Sequence, residues 1–190
     1  MRDPDLWAGR FSRPAAPAPR ARRWPYVTVA VDADPAAAAP AVRYQWDAET
    51  EILTACIEDR REGGWPSTAV TLAGPSGAWV TLDLRGGRFC GLEVAVWPPV
   101  ELRAVLPAPR PAWSGHARCP EAAAGAPEIE VAAELRAERD RGGRTVRLGV
   151  GPVRPARPVR VARDIMLDVD DAGALAGVWL LNVPPLPLTA

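Results

Sequence analysis

The feature that most constrains the fold is a stretch that occurs twice. Residues 79–100 read WVTLDLRGGRFCGLEVAVWPPV, and residues 165–186 read IMLDVDDAGALAGVWLLNVPPL. Aligning Leu82-Asp83 with Leu167-Asp168, with one extra residue in the second turn, sets Gly87 on Gly173 and Gly91 on Gly177. Pro98-Pro99 then falls on Pro184-Pro185. Gly91 and Gly177 are 86 residues apart, so nearly all of the 190-residue chain reads as two copies of one unit. Self-similarity at a fixed period dictates architecture, because neither copy needs a fold the other lacks.

Each copy reads as β-structure. Val42, Tyr44 and Trp46 alternate with Arg43 and Gln45, Asp47–Thr50 is a turn, and Glu51–Glu58 resumes as a strand. Val80, Leu82 and Leu84 point one way, Arg85-Gly86-Gly87 turns the chain, and Arg88–Trp97 returns with Cys90, Leu92, Val94 and Val96 on one face. Period-two alternation in short runs between turn residues marks half-buried antiparallel strands. In the second copy Ile129–Leu135 alternates as one strand, Asp140–Gly143 makes a hairpin, and 164–171 with 174–183 completes the unit. No stretch reads as a helix. A sheet with one apolar face must bury it, and the nearest apolar sheet is the other copy. The expected fold is all-β: two tandem, roughly five-stranded antiparallel units packed as a pseudo-two-fold sandwich or barrel around one core.

The expected organisation is a disordered Arg/Pro-rich tail (1–23), a first repeat (24–100), a connecting strand and Pro/Ala-rich spacer (101–127), and a second repeat (128–190). The tail holds six arginines, two aspartates and four prolines, a composition that favours extended, solvated backbone. Folded structure is expected from Trp24-Pro25, with Tyr26–Val31 a strand echoed by Val100–Val105. Residues 60–67 and 74–77 read as loops, and the 107–127 spacer, with five prolines and the lone histidine, as a mobile connection.

Formal net charge is zero, so no overall field draws the chain to nucleic acid or an anionic membrane; nucleic acid is expected only through the basic tail. All 23 basic residues are arginine, which makes arginine the default cation and weakens inference from any single one. Three widely spaced cysteines without a CxxC pattern point to a reducing cytoplasm. No apolar run approaches the ~18 residues of a membrane span.

The first copy resembles a small bacterial domain of unknown function, family 2283. The resemblance rests on Trp46-Asp47-Ala48-Glu49-Thr50-Glu51-Ile52-Leu53, and then on Leu82-Asp83, Gly87 and Gly91-Leu92-Glu93-Val94. Leu167-Asp168-Val169-Asp170 and Gly177-Val178 match the latter part again, with Trp179 where the family carries Glu. The resemblance implies a degenerate tandem duplication and, because some members look like partners in toxin–antitoxin pairs, an interaction role.

Candidate chemistry gathers at the repeated hairpins. Asp83, Glu93 and Trp97 in the first copy, with Asp168 and Trp179 in the second, could together line a pocket for a cationic or hydroxylated ligand. Asp168-Val169-Asp170-Asp171-Ala172-Gly173 has the start of a calcium loop but lacks the later bidentate Glu, and Asp also opens turns unaided. His116 and Cys119 supply half of a zinc set, so no metal is expected. Arg154, Arg157, Arg160 and Arg163 recur every third residue. In polyproline II backbone they would line one edge, suited to an anionic partner; the other reading is a protected strand edge. No phosphate-cradling Gly loop and no nucleophile–base constellation is present, so no catalytic residue and no cofactor are assigned. The expected function is a non-catalytic binding or interaction protein, a regulatory or antitoxin-like partner of another protein. The alternative is a small-ligand binder or enzyme whose pocket is built from the carboxylates and tryptophans of the hairpins.

Overall fold

The two repeated stretches become two hairpins, each at the centre of a five-stranded set. The computed structural model describes residues 22–24, 26–34, 39–58, 66–123 and 128–187. The strands are β1 (Arg22–Trp24), β2 (Ala30–Ala33), β3 (Ala41–Asp47), β4 (Ile52–Glu58) and β5 (Ser67–Ala73). They continue as β6 (Trp79–Arg85), β7 (Arg88–Val96), β8 (Val100–Arg103), β9 (Trp113–Arg118) and β10 (Glu128–Ala132). The last five are β11 (Leu135–Asp140), β12 (Val146–Val150), β13 (Arg157–Ala162), β14 (Ile165–Val169) and β15 (Leu175–Leu180). A four-residue helical turn, α1 (Pro120–Ala123), is the only helix among the described residues, and none there is long and apolar enough to cross a membrane.

The first set pairs antiparallel in the order β3-β4-β7-β6-β5, and the second, also antiparallel, in the order β11-β12-β15-β14-β13. Parallel partners join the sets: β10 to β5, β1 to β10, β9 to β13 and β8 to β11. β2 pairs antiparallel with β9. The strands thus form mostly one curled half-barrel sheet. Its concave side holds a single apolar cluster drawn from both sets, including Leu53, Val80, Leu92, Ile129, Leu148, Ile165 and Leu180.

Local details correspond between the hairpins. Gly87 (φ 78°) and Gly173 (φ 79°) take the left-handed backbone that a tight turn needs, where glycine carries no Cβ penalty. Their carbonyls accept from the N–H of Cys119 and of Val29, each at 2.7 Å. Asp83 faces Gly91 and Asp168 faces Gly177, and in each hairpin the register slips just after the aspartate. Both glycines are close-approach sites: a Cβ on Gly177 would sit 2.8 Å from the carbonyl oxygen of Leu148, and one on Gly91 would press still harder on that of Ala55.

Several expectations are corrected. The slip after Asp83 sets Leu84 opposite Phe89 and Leu82 opposite Leu92, so Phe89 enters the core and Cys90 leaves it. A second slip between Trp79 and Val80 turns Val96 outward, half exposed. A bulge inserts a residue on one strand and so reverses the facing of everything beyond it. The spacer is not uniformly open: between its prolines runs β9, a strand between β2 and β13. Its inward residues are Gly115 and Ala117, followed just past the strand by Cys119, all buried, and side chains this small give little apolar signal. The run 129–135 is two strands. Ile129 and Val131 face the core from beside β5, the chain crosses at Ala133–Glu134, and Leu135 and Ala137 face it from beside β12. Alternation persists through the crossing, so the sequence pattern does not reveal it. Arg22–Trp24 already form a strand, earlier than the expected start, while residues 1–21 of the tail lie outside the described residues. Of the expected loop at 60–67, residues 59–65 also lie outside them, and Ser67 opens β5.

Candidate functional site

The outward faces of the two sets, away from the core, carry the polar residues. In the second set the hairpin aspartate is held by its neighbours through one oxygen. Asp168 is 6% exposed, and its Oδ2 accepts from Trp179 Nε1 (3.0 Å) and from Arg147 Nε (3.3 Å) and Nη2 (3.2 Å). The Arg147 guanidinium also lies over the Trp179 ring, 5.3 Å from its centroid. From there the charges alternate across the sheet. Arg147 Nη1 donates to Glu138 Oε2 (3.1 Å), and Glu138 Oε1 accepts from Arg103 Nε (3.0 Å) and Nη2 (2.8 Å). Arg103 Nη1 reaches Glu101 at 3.0 Å. Burial alone would raise the Glu138 carboxyl, but the bonds from Arg103 and Arg147 outweigh it and hold the group below the usual range. An open concavity of about 620 Å³ lies over this row, lined by Val100, Arg103, Arg136, Glu138, Arg147 and Val153 among others.

The first set has the same register with different residues. Thr54 faces Glu93 on β7 as Arg147 faces Trp179 on β15, and Thr81 faces Glu93 as Met166 faces Trp179. Gln45 faces Thr54 where Glu138 faces Arg147. Asp83 and Glu93 are therefore diagonal neighbours on one face, about 7 Å apart at the backbone by sheet geometry. Neither has a hydrogen bond or ion pair within the described residues. Burial raises the Asp83 carboxyl above its ordinary value, and the charge of Arg85 only partly opposes this.

The five candidates for one pocket are thus divided. Asp83 and Glu93 share the outer face of the first set, and Asp168 and Trp179 bond to each other in the second. Trp97 joins neither group: it packs against the core, stacks on Trp46 with centroids 5.9 Å apart, and donates Nε1 to the Glu51 carbonyl (2.9 Å). The grouping of Glu93 with Phe89 and Trp97 on one face fails because of the two register slips in β7.

The four arginines do not form one edge, because 157–162 is a strand rather than polyproline II. Arg154 is a loop clamp, donating to Asp170 Oδ2 (2.7 Å) and to the carbonyls of Val150 (3.1 Å) and Leu175 (2.7 Å). Arg157 pairs with Asp171 (2.8 Å) and lies over Trp113. Arg160 donates to the carbonyl of Arg163 (3.0 Å). The acids of the calcium-like run also part company. Asp168 bonds within the sheet, Asp171 meets Arg157, and Asp170 Oδ1 accepts from the N–H of Ala172 and Ala174 at 2.9 and 2.8 Å, closing the turn. His116 lies on β9 against the Arg88 guanidinium and faces away from Cys119, which is buried. Among the described residues no three His, Cys, Asp or Glu side chains gather to hold a metal.

Arg147, Glu138 and Arg103 carry the most connected polar geometry, and the sequence reading passed over them. One link was legible: a hairpin turning at Asp140–Gly143 puts Glu138 opposite Arg147, an opposite-charge cross-strand pair. The link to Asp168 was not, because it crosses β15 between strands far apart in sequence. No family model matches this chain, and no curated protein matches it.

Proposed function

We propose that the chain is a non-catalytic interaction protein made of two diverged copies of one five-stranded unit, and that the first copy receives a cationic side chain of a protein partner between Asp83 and Glu93. The duplication is supported by the identical pairing orders, the matching turn glycines and the slip after each hairpin aspartate. It agrees with the resemblance of both hairpins to one domain pattern.

One observation carries the binding reading. At equivalent positions the second copy holds its own guanidinium, Arg147 on Asp168, whereas the first has Thr54 in place of the arginine and a second acid, Glu93, in place of the tryptophan. A half-buried carboxyl gains most from a cation, since burial raises the cost of ionising it. A guanidinium can bond two carboxylates through its planar fork, which suits arginine better than lysine. The pocket alternative has less support, because the five residues it needs lie in separate places and the concavity over β8, β11 and β12 is lined by none of them.

The test is an amide-resolved NMR titration of the full chain with N-acetyl-arginine amide. Shifts are expected at Thr54, Thr81, Asp83 and Glu93, and they should vanish in Asp83→Asn/Glu93→Gln. Thr54→Arg should fill the site from within, abolishing those shifts and raising the thermal midpoint by about 2–4 °C. Shifts that spread over the surface, or that persist in Thr54→Arg, would refute the reading.

A further inference from the structure

The strand β8 ends the pairing path, with β11 its only strand partner among the described residues. All four of its side chains are exposed. The parallel register sets Val100 beside Ala137 and Leu102 beside Arg139, and Glu101 beside Glu138 and Arg103 beside Asp140. Val100 and Leu102 therefore continue the inner, apolar face past the end of the core, at 44% and 63% exposure. Glu101 and Arg103 continue the outer face, where the alternating row from Asp168 through Arg147 and Glu138 ends. Edges that do not pair are commonly blunted by shortness, charge, proline or bulges; β8 is short and charged, but it has no proline, bulge or inward-pointing charge within its four residues, and its two charges are of opposite sign.

We infer that β8 is a dimerisation edge, pairing antiparallel with β8 of a second copy about a two-fold axis through Leu102. In that register Glu101 of each copy lies opposite Arg103 of the other, twice, on the outer face. Leu102 meets Leu102 on the inner face, with Val100 opposite Ala104. The strand is self-complementary in charge, in apolar pattern and in backbone hydrogen bonding, as an isologous contact must be. Directly opposite unlike charges favour the pairing and like charges oppose it. The alternating row of one copy would then run on into that of its partner. A strand of four residues supports a contact smaller than the usual stable interface, so the dimer is expected to dissociate on dilution.

Sedimentation velocity of the full chain across a concentration series tests this, with wild type, Glu101→Arg and Leu102→Lys compared. Glu101→Arg sets arginine opposite Arg103 of the second copy, and Leu102→Lys sets two ammonium groups on the axis. Both positions are exposed, so at concentrations where wild type is monomeric each variant should keep its circular dichroism and thermal midpoint. The expected result is a reversible monomer–dimer equilibrium for wild type, with dimerisation weakened at least tenfold in both variants. Leu102→Cys should in addition give a covalent dimer on mild oxidation, with the cross-link mapping to the substituted position in both chains. A wild-type chain that stays monomeric at millimolar concentration overturns the inference. So does a dimer that survives both substitutions, or open-ended growth in place of a closed pair. None of these outcomes bears on the Asp83–Glu93 reading, which concerns a different strand set.

Discussion

Replacing Arg147 with methionine separates its charge from its packing. Methionine keeps an unbranched apolar stem against the Trp179 ring and removes the guanidinium that serves Asp168 and Glu138. Deleting one partner of a buried ion pair costs about 3–5 kcal/mol, because the other charge is left uncompensated. Three features lower that figure here. Trp179 Nε1 still donates to Asp168, Glu138 keeps Arg103, and the Arg147 side chain is 31% exposed, so water can reach the opened space. The expected loss is about 2–3 kcal/mol. In urea it would lower the unfolding midpoint by about 1 M, with an unchanged slope. Asp168→Asn keeps an acceptor for Trp179 and removes the charge that needs Arg147. The double variant should therefore be more stable than the two single losses predict, by a coupling of about 1–2 kcal/mol. A loss under about 0.5 kcal/mol for Arg147→Met, or a coupling near zero, would show that Asp168 is not held by the guanidinium.

Other expectations follow from the same geometry. Because burial raises the folded-state Asp83 carboxyl, the native chain holds that proton more tightly than the unfolded chain, and stability drops as pH rises through this window. Asp83→Asn should therefore be more stable than wild type at pH 7 in urea titrations, and the two should converge in acid, below the unfolded carboxylate range. Asp170 behaves in the opposite sense. Burial would raise it, but the Ala174 N–H and then Arg154 lower it overall, so its contribution is present at neutral pH and disappears as pH falls through its depressed value. Asp170→Asn should accordingly flatten the acid limb of the stability profile. Gly91→Ala should lower the thermal midpoint more than Gly177→Ala, since the tighter backbone contact is at Gly91; equal effects would argue against close packing there. Millimolar calcium should leave the midpoint unchanged, because Asp168 Oδ2 and both carboxylate oxygens of Asp170 are already bonded within the chain.

The sequence by itself determined the all-β class and the hairpin turns, because these depend on neighbours a few residues apart. Alternation at Val42–Trp46 and Val80–Leu84, the Gly86-Gly87 turn and the recurrence of Leu-Asp with a following glycine all act locally, and each has its counterpart in the strands and hairpins described. Which way side chains face was legible only up to the first bulge. The extra residue opposite Asp83 exchanged Cys90 for Phe89 in the core, a second one before Val96 separated Trp97 from Glu93, and alternation has no means of announcing either. Strand β9 was hidden because its inward residues are only glycine and alanine. The passage from β10 to β11 was hidden because its period is unbroken. Beyond the Glu138–Arg147 hairpin pair, tertiary structure alone decided which charges meet. Arg147 reaches Asp168 across β15, while Asp83, at the corresponding place, has Thr54 across β7 and a second acid, Glu93, diagonal to it. Two hairpins can share one local pattern and still differ in chemistry, because pairing between distant strands sets each carboxylate's neighbours.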